Sequence, residues 1–317
     1  MQIEPEVLII SNKFDFSTDF VTNKLNQFGV SFLRLNRDDL YDYKIKLDPL
    51  EPSLYVAIDA YEYHVSDEKL KSIYYRAPTF LRDIFQESTS AEEQLYYSQW
   101  TAFVRSLIVF ENANWVNSPV ATYKAEMKPY QLYYANKIGF KIPGTLVTNH
   151  VEPEILPSPM IAVKSIDTAI INEGEKETFV YTSLLKNCEL PNSHYSSPFF
   201  LQEGLTPKVD IRITVINDCV IPIKILSPGG ISGDWRKHDG TISYQIFDLP
   251  LDIKTQCLQL AKGLSLRFCA IDMVEYFGQY YFIEVNPTGE WSWLQTNTGF
   301  EFDEIIAKYL AYQHTRL

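Results

Sequence analysis

The chain of 317 residues has no cysteine pair at C-x₂-C spacing; its four cysteines, at 188, 219, 257 and 269, stand apart. That excludes the common zinc knuckle and the dithiol redox motif. Free thiols in or near a core are the expectation, as in a reducing compartment. No apolar run approaches the roughly 18 residues of a membrane-spanning helix, so no membrane association is predicted. The opening stretch, MQIEPEVLIISNKFD, lacks the basic start and long apolar segment of a signal peptide, and a soluble cytoplasmic protein is expected. Positive charge is scarce: 28 Lys and Arg against 40 Asp and Glu give a net charge of −12. A general nucleic-acid binder needs a basic surface to neutralise phosphates, so nucleic acid is excluded as a partner. A few buried cations could still hold a nucleotide. Charged residues are only 21%, which argues against disorder, and there is no internal repeat or low-complexity segment.

What is present suits a large folded protein. Apolar residues make up 46%, and aromatic ones 14%, with 21 Tyr and 19 Phe. The length fits two or three subdomains sharing a cleft. VLII (7–10) reads as a buried strand, Ser17 to Phe28 as a helix capped by Ser17 or Thr18 and ended by Gly29, and VSFLRLN (30–36) as the next strand. That order predicts a parallel α/β unit. SLYVAIDAYEYHV (53–65) reads as strand or hairpin, SIYYRAPTF (72–80) as a strand, and 84–111 as a long helix. A turn-rich break at 111–119 marks a domain boundary.

Beyond the break, Pro129 and Gly139 bracket a short helix. MIAVKSI (160–166) and PFFLQEGL (198–205) read as strands, with a charged hairpin at 172–182 between them. VDIRITVINDCVIPIKILS (209–227) is a hairpin turning at Asn-Asp, followed by a loop over 228–240 and a helix over 251–266. CAIDMVEYFGQYYFIEVN (269–286) is a hairpin turning near Gly278; a loop and a final helix at 303–313 complete the chain. The predicted domains are 1–117, 118–204 and 205–317, α/β at the start and α+β in the C-terminal part.

The last hairpin concentrates chemistry. Asp272 lies six residues before Gly278 and Glu284 six after, so a three-residue loop centred on Gly278 sets the two carboxylates directly opposite each other. Asn286 joins the same face. A two-residue turn would slip the register by one and break the pairing. Two readings stand on these residues alone: a hard-oxygen site suited to Mg²⁺, or a solvated polar face. Directly opposed carboxylates repel, and a cation would explain them. Lys128 starts a helix, where backbone amides favour anions, or is simply solvated there. Lys164 sits in an apolar strand, where an unpaired ammonium is costly, unless its stem snorkels. Arg212 lies in a β-forming strand beside Asp210, with which it could pair locally. Arg236 lies in a loop, where arginines are usually solvated.

Taken in order, these segments resemble the ATP-grasp superfamily of carboxylate–amine ligases over about 118–312. MKPYQLYYANKIGFKIPGT is similar to the family's Lys-started helix followed by Gly and Pro-x-Thr. IAVKSI resembles the strand carrying a second nucleotide lysine, and FFLQEGL the hinge strand that reads adenine, here Gln202, Glu203, Gly204 and Leu205. VDIRITVIND and GDWRKH resemble the D-I-R-x-x-V and G-D-[FW]-R segments, and AIDMVEYFGQYYFIEVNPTGE the paired metal strands. The N-terminal strand, YYRAP and NPTGEWSWLQ resemble the maturases of ribosomally made peptides, the microviridin-type and grasp-with-spasm ligases. One departure stands out: between Lys164 and Gln202 the glycine-rich phosphate loop is replaced by DTAIINEGEKETFVYT.

The resemblance implies an ATP-grasp fold behind an N-terminal α/β domain, with the nucleotide between two subdomains. It implies ATP and Mg²⁺ as cofactors. Lys128, Lys164, Gln202–Leu205 and Asp210 would bind nucleotide, Asp272, Glu284 and Asn286 the metal, and Arg212 and Arg236 the reacting acyl group. The implied partner is a precursor peptide with a leader and an acidic core, cross-linked through Asp or Glu side chains to Ser/Thr hydroxyls or Lys amines. Such maturases are often homodimers. Rival readings are a ligase adding amino acids to a terminus, a non-catalytic nucleotide-binding module and an interaction protein. Glu290, past Pro287 and Gly289, is not expected to be a metal ligand; it could instead face the acceptor nucleophile. Trp291 and Trp293 either pack the turn or wall the core peptide.

Overall fold

The computed structural model describes residues 2–78, 90–167, 170–173, 176–179, 181–228, 230, 233, 235 and 241–313. β1 (Gln2–Ile3), β2 (Val7–Ser11), α1 (Phe16–Gln27) and β3 (Phe32–Asn36) open the chain. β2 and β3 pair in parallel, and every residue of β2 is buried, which is why it reads as a continuous apolar run. The cap of α1 is Asp15, not Ser17 or Thr18. Its carboxylate accepts the Thr18 backbone N–H at 3.2 Å, so the cap lies two residues before Ser17, and this releases the Ser17 side chain for another contact.

β4 (Lys44–Asp48), β5 (Ser53–Ile58) and β6 (Tyr61–Ser66) pair antiparallel, and β1 adds to β6 in parallel, giving a mixed sheet in the order β1-β6-β5-β4. β7 (Ser72–Tyr75) and β8 (Asn114–Val116) complete the parallel sheet β3-β2-β7-β8. Helix α2 (Ala91–Ser106) is shorter than the predicted 84–111. A reciprocal capping box between Ser90 and Glu93 starts it, and a 3₁₀ turn over Leu107–Val109 follows it. The predicted residues 84–89 lie outside the described ones.

α3 (Pro119–Ala125), with Pro at its start, was not foreseen; α4 (Lys128–Ile138) was, and Gly139 ends it at φ +105°. β9 (Thr145–Val151), β10 (Met160–Lys164), β11 (Ile170–Glu173), β12 (Lys176–Phe179), β13 (Ser183–Lys186) and β14 (Ser193–Glu203) follow. Four of them form an antiparallel sheet, β13-β10-β14-β9, and β11–β12 is the charged hairpin, a few residues earlier than predicted.

The last region holds β15 (Val209–Ile216), β16 (Cys219–Leu226), β17 (Ser243–Ile246), α5 (Leu251–Gly263), β18 (Phe268–Tyr276), β19 (Gln279–Asn286), α6 (Ser292–Thr298) and α7 (Phe302–Tyr312). Its sheet runs β17-β16-β15-β18-β19. α5 covers one face, setting Cys257 and Leu260 against Ile211, Ile213 and Ile271. α7 buries Ile306 and Leu310 in the same apolar cluster as Val21 and Leu25 of α1. The first and last regions therefore share a core. The stretch after β19, expected to be a loop up to the final helix, contains α6. Buried Leu294 anchors that helix and Gly299, at φ +71°, ends it.

Candidate active site

The β18–β19 hairpin decides where the carboxylates go. Its turn is not the three-residue loop expected. Tyr276 pairs with Gln279, and only Phe277 and Gly278 turn the chain, both at positive φ (47° and 71°). A two-residue turn should misalign Asp272 and Glu284. It does not, because Ile283 is an extra residue in β19: the register passes from Met273↔Phe282 to Asp272↔Glu284. This bulge cancels the slip, so the expected opposition is present for a different reason. Ala270↔Asn286 continues the register, which leaves Asn286 two residues on, along the same face.

Arg212 on β15 is the cross-strand partner of Asp272, and its Nη1 donates to both carboxylate oxygens, at 2.8 and 3.0 Å. Arg212, Asp272 and Glu284 thus form one row across three strands. Asp210, two residues earlier on the same face, is engaged by the Lys208 ammonium. Lys128, at the start of α4, stands 3.2 Å from Glu284. Lys164 donates to Gln202 at 2.7 Å, and Gln202 donates to the Thr145 hydroxyl at 2.9 Å.

Burial pushes the Glu284 carboxyl up, but Lys128 and Lys164 outweigh it and hold the group below the usual carboxylate range. Burial lowers the Lys164 ammonium to about 8, with Lys128 and Lys208 adding repulsion against the attraction of Glu284 and Asp272.

These groups surround one cavity of about 430 Å³. Lys128, Lys164, Lys208 and Arg212 supply its cations, and Asp210, Asp272 and Glu284 its nearby carboxylates. Gln202 to Leu205 form another part of the lining. A Cβ on Gly204 would come within 2.6 Å of Leu184 Cδ1 and 2.9 Å of Met160 Cβ, so a side chain at this position would force its neighbours to shift. Glu203 turns its carboxylate to the Gly144 N–H at 2.7 Å and does not present it as a free ligand. Asn286 is not among the described lining residues; its Oδ1 accepts the Thr288 N–H at 3.0 Å. Arg236 lies outside the described residues. Three ammonium groups, a guanidinium and two opposed carboxylates match in donor chemistry a polyphosphate with a hard divalent cation.

The two tryptophans divide. Trp291 is fully buried, with Phe20 and Phe302 against its ring. Trp293 lines the cavity and packs on Trp235, centroids 5.3 Å apart. Glu290 also lines it.

Lys208 was missed, although strand alternation puts it on the face of Asp210 and Arg212. Gln131 was missed as well. One turn after Lys128 and 2% exposed, it donates to the Val285 carbonyl at 2.8 Å and accepts the Val285 N–H at 3.0 Å, between Glu284 and Asn286. Its position three residues after Lys128, on the same helix face, was the available signal.

No family model and no curated protein sequence matches the chain. Solved structures do. The RiPP-associated ATP-grasp ligase of Chryseobacterium gregarium, in complex with ADP and a leader and core peptide, is 24% identical; the match covers 98% of each chain at a TM-score of 0.81. The macrocyclase MdnC of Microcystis aeruginosa, bound with precursor peptide MdnA, is 23% identical over 97% of this chain and 100% of that one, at 0.79. D-alanyl-alanine synthetase A of Vibrio cholerae is 12% identical over 97% of both, at 0.57. The fold is that of the ATP-grasp ligases, as the sequence pattern implied.

Proposed function

We propose that this chain is an ATP- and Mg²⁺-dependent ligase that cross-links side chains of a ribosomally made precursor peptide. The row Arg212–Asp272–Glu284, facing a cavity with Lys128, Lys164 and Lys208, carries the reading. The neighbours complexed with ADP or with leader and core peptides support the choice of partner. An acidic core, a cytoplasmic site of action and a homodimer belong to the same proposal. Among the described residues no helix is long and apolar enough to cross a membrane.

Asp272 and Glu284 would hold Mg²⁺, with Asn286 joining them if it releases Thr288, while Lys128, Lys164 and Lys208 neutralise phosphate oxygens and Gln202–Leu205 take the base. When bound, Mg-ATP supplies the phosphoryl group that turns a peptide carboxylate into an acyl phosphate. Arg212, and Arg236 with it, would orient that acyl group and stabilise charge on its carbonyl oxygen, which a guanidinium does with two aligned donors. The acceptor oxygen or nitrogen then bonds to the carbonyl carbon, the C–O bond to phosphate breaks, and inorganic phosphate and a proton leave.

The test is to co-express the chain with candidate precursor peptides, each carrying a leader and an acidic core, and weigh the peptide. The proposal expects loss of one water mass per bond, with ATP converted to ADP. A peptide that gains residue masses would instead mark a terminus-extending ligase, and an unchanged peptide with no ADP would exclude both.

A further inference from the structure

The segment after β19 leaves the sheet, yet it supplies Glu290 and Trp293 to the cavity. It is held from the far end of the sequence. Arg76, directly after β7 in the YYRAP stretch, has a side chain only 5% exposed. Its Nη1 donates to the carbonyls of Thr288 at 2.8 Å and Gly289 at 3.3 Å, and its Nη2 to Glu290 Oε2 at 3.1 Å. Asp15, the cap of α1, lies 3.5 Å from the Arg76 Nε. The other Glu290 oxygen accepts the Ser17 hydroxyl and the backbone N–H groups of Trp291 and Ser292, at 3.1 and 2.9 Å for the amides. Trp293 Nε1 in turn donates to the Glu290 carbonyl at 3.2 Å.

The segment has little freedom beneath this clasp: a Cβ on Gly289 would come within 2.4 Å of Ala270 Cβ. Burial disfavours the charged form of Arg76, but the carboxylates of Asp15 and Glu290 favour it, and the ion cluster stays charged.

The β18–β19 ladder side of the cavity is fixed separately. Glu284 stands on a strand ladder and is flanked by the Gln131 clamp on Val285. Loosening 288–293 therefore leaves Lys128, Arg212, Asp272 and Glu284 on their own supports; of the proposed metal groups Asn286, whose Oδ1 accepts the Thr288 N–H, is tied to the segment. We infer that Arg76 is a positioning residue for the acceptor side: through Glu290 and Trp293 it shapes the wall that seats the attacking hydroxyl or amine and keeps water off the activated carboxyl. This rests on the ligase reading above. If the wall loosens, water competes. Its oxygen bonds to the carbonyl carbon, the C–O bond to phosphate breaks, and the products are the original carboxylate, inorganic phosphate and a proton.

The test is the number of ADP molecules released per cross-link formed, for wild type, Arg76→Met, Arg76→Lys and Glu290→Gln. Wild type should stay near one ADP per bond. Arg76→Met should lose about 10–100-fold in peptide kcat/KM while its ADP-to-bond ratio rises several-fold, and Arg76→Lys should recover part of the coupling. Glu290 is half exposed, so Glu290→Gln loosens the clasp without opening a cavity in the core, and it should also raise the ratio. The thermal shift induced by Mg-ADP should match wild type in all three. If both rates fall in step at a constant ratio, or the Mg-ADP shift is lost with them, Arg76 is merely structural and the inference fails while the ligase reading stands. A wild type that forms no ADP with peptide overturns the ligase reading and this inference together.

Discussion

Arg212, Asp272 and Glu284 sit on three neighbouring strands, whereas Glu290 and Trp293 sit on a segment that has left the sheet. Both groups line the same cavity. The first is placed by register: once β15, β18 and β19 pair, the row follows from side-chain alternation. The second is placed by side chains more than 200 residues away, Arg76 and Ser17. Ladder-borne groups inherit the rigidity of the sheet. The others depend on one buried ion cluster.

Substitutions can break this comparison at graded strength. Asp272→Asn and Glu284→Gln strike the ladder wall directly. Peptide-dependent ADP formation should fall by about 10³ or more, because several kcal/mol of charge stabilisation disappear, while the circular dichroism spectrum stays that of wild type. Arg212→Ala should cost about 10²–10³ in kcat, the scale for removing one oxyanion donor, measured as peptide turnover at saturating ATP. Gln131→Leu should weaken Mg-ATP by about 10–100-fold, as loss of an outer-shell support does, and lower the melting temperature, since Val285 loses both partners. It should leave the ADP-to-bond ratio at the wild-type value, the opposite signature to Arg76.

The smallest effect is a pH dependence. Burial pushes the Lys164 ammonium down to about 8, below the ordinary lysine value of 10.5. Its charge is therefore present below pH 8 and fades above it, so kcat/KM for ATP should fall as pH rises through 8, and Lys164→Arg should flatten that fall. The stability sign is opposite. Between pH 8 and 10.5 the unfolded chain holds a proton that the folded one lacks, so the penalty for burying Lys164 shrinks as pH rises across that window.

The contrast also explains what could be read from the sequence. Strand patterns and turn residues located β2, β3, β10, β15 and β19, and the sixfold spacing around Gly278 put Asp272 opposite Glu284. The path to that pairing was wrong in detail. A two-residue turn plus a bulge at Ile283 replaces the symmetric loop, and a bulge has no marker in a run such as YYFIEVN. Tertiary contacts stayed hidden. Nothing local says that Arg76 grips Glu290, that Gln131 faces Val285, or that Trp291 belongs to the core while Trp293 faces the cavity. α6 was hidden for the same reason: packing of Leu294 overrides a stretch rich in Ser, Thr and Asn, poor helix formers.

The most direct measurement is a calorimetric titration of the wild-type protein with ATP, with and without Mg²⁺. The opposed carboxylates and clustered cations predict one site per chain, tight with Mg²⁺ and at least about tenfold weaker without it. Equal affinity in both conditions, or no binding at all, would contradict the assignment of the cavity.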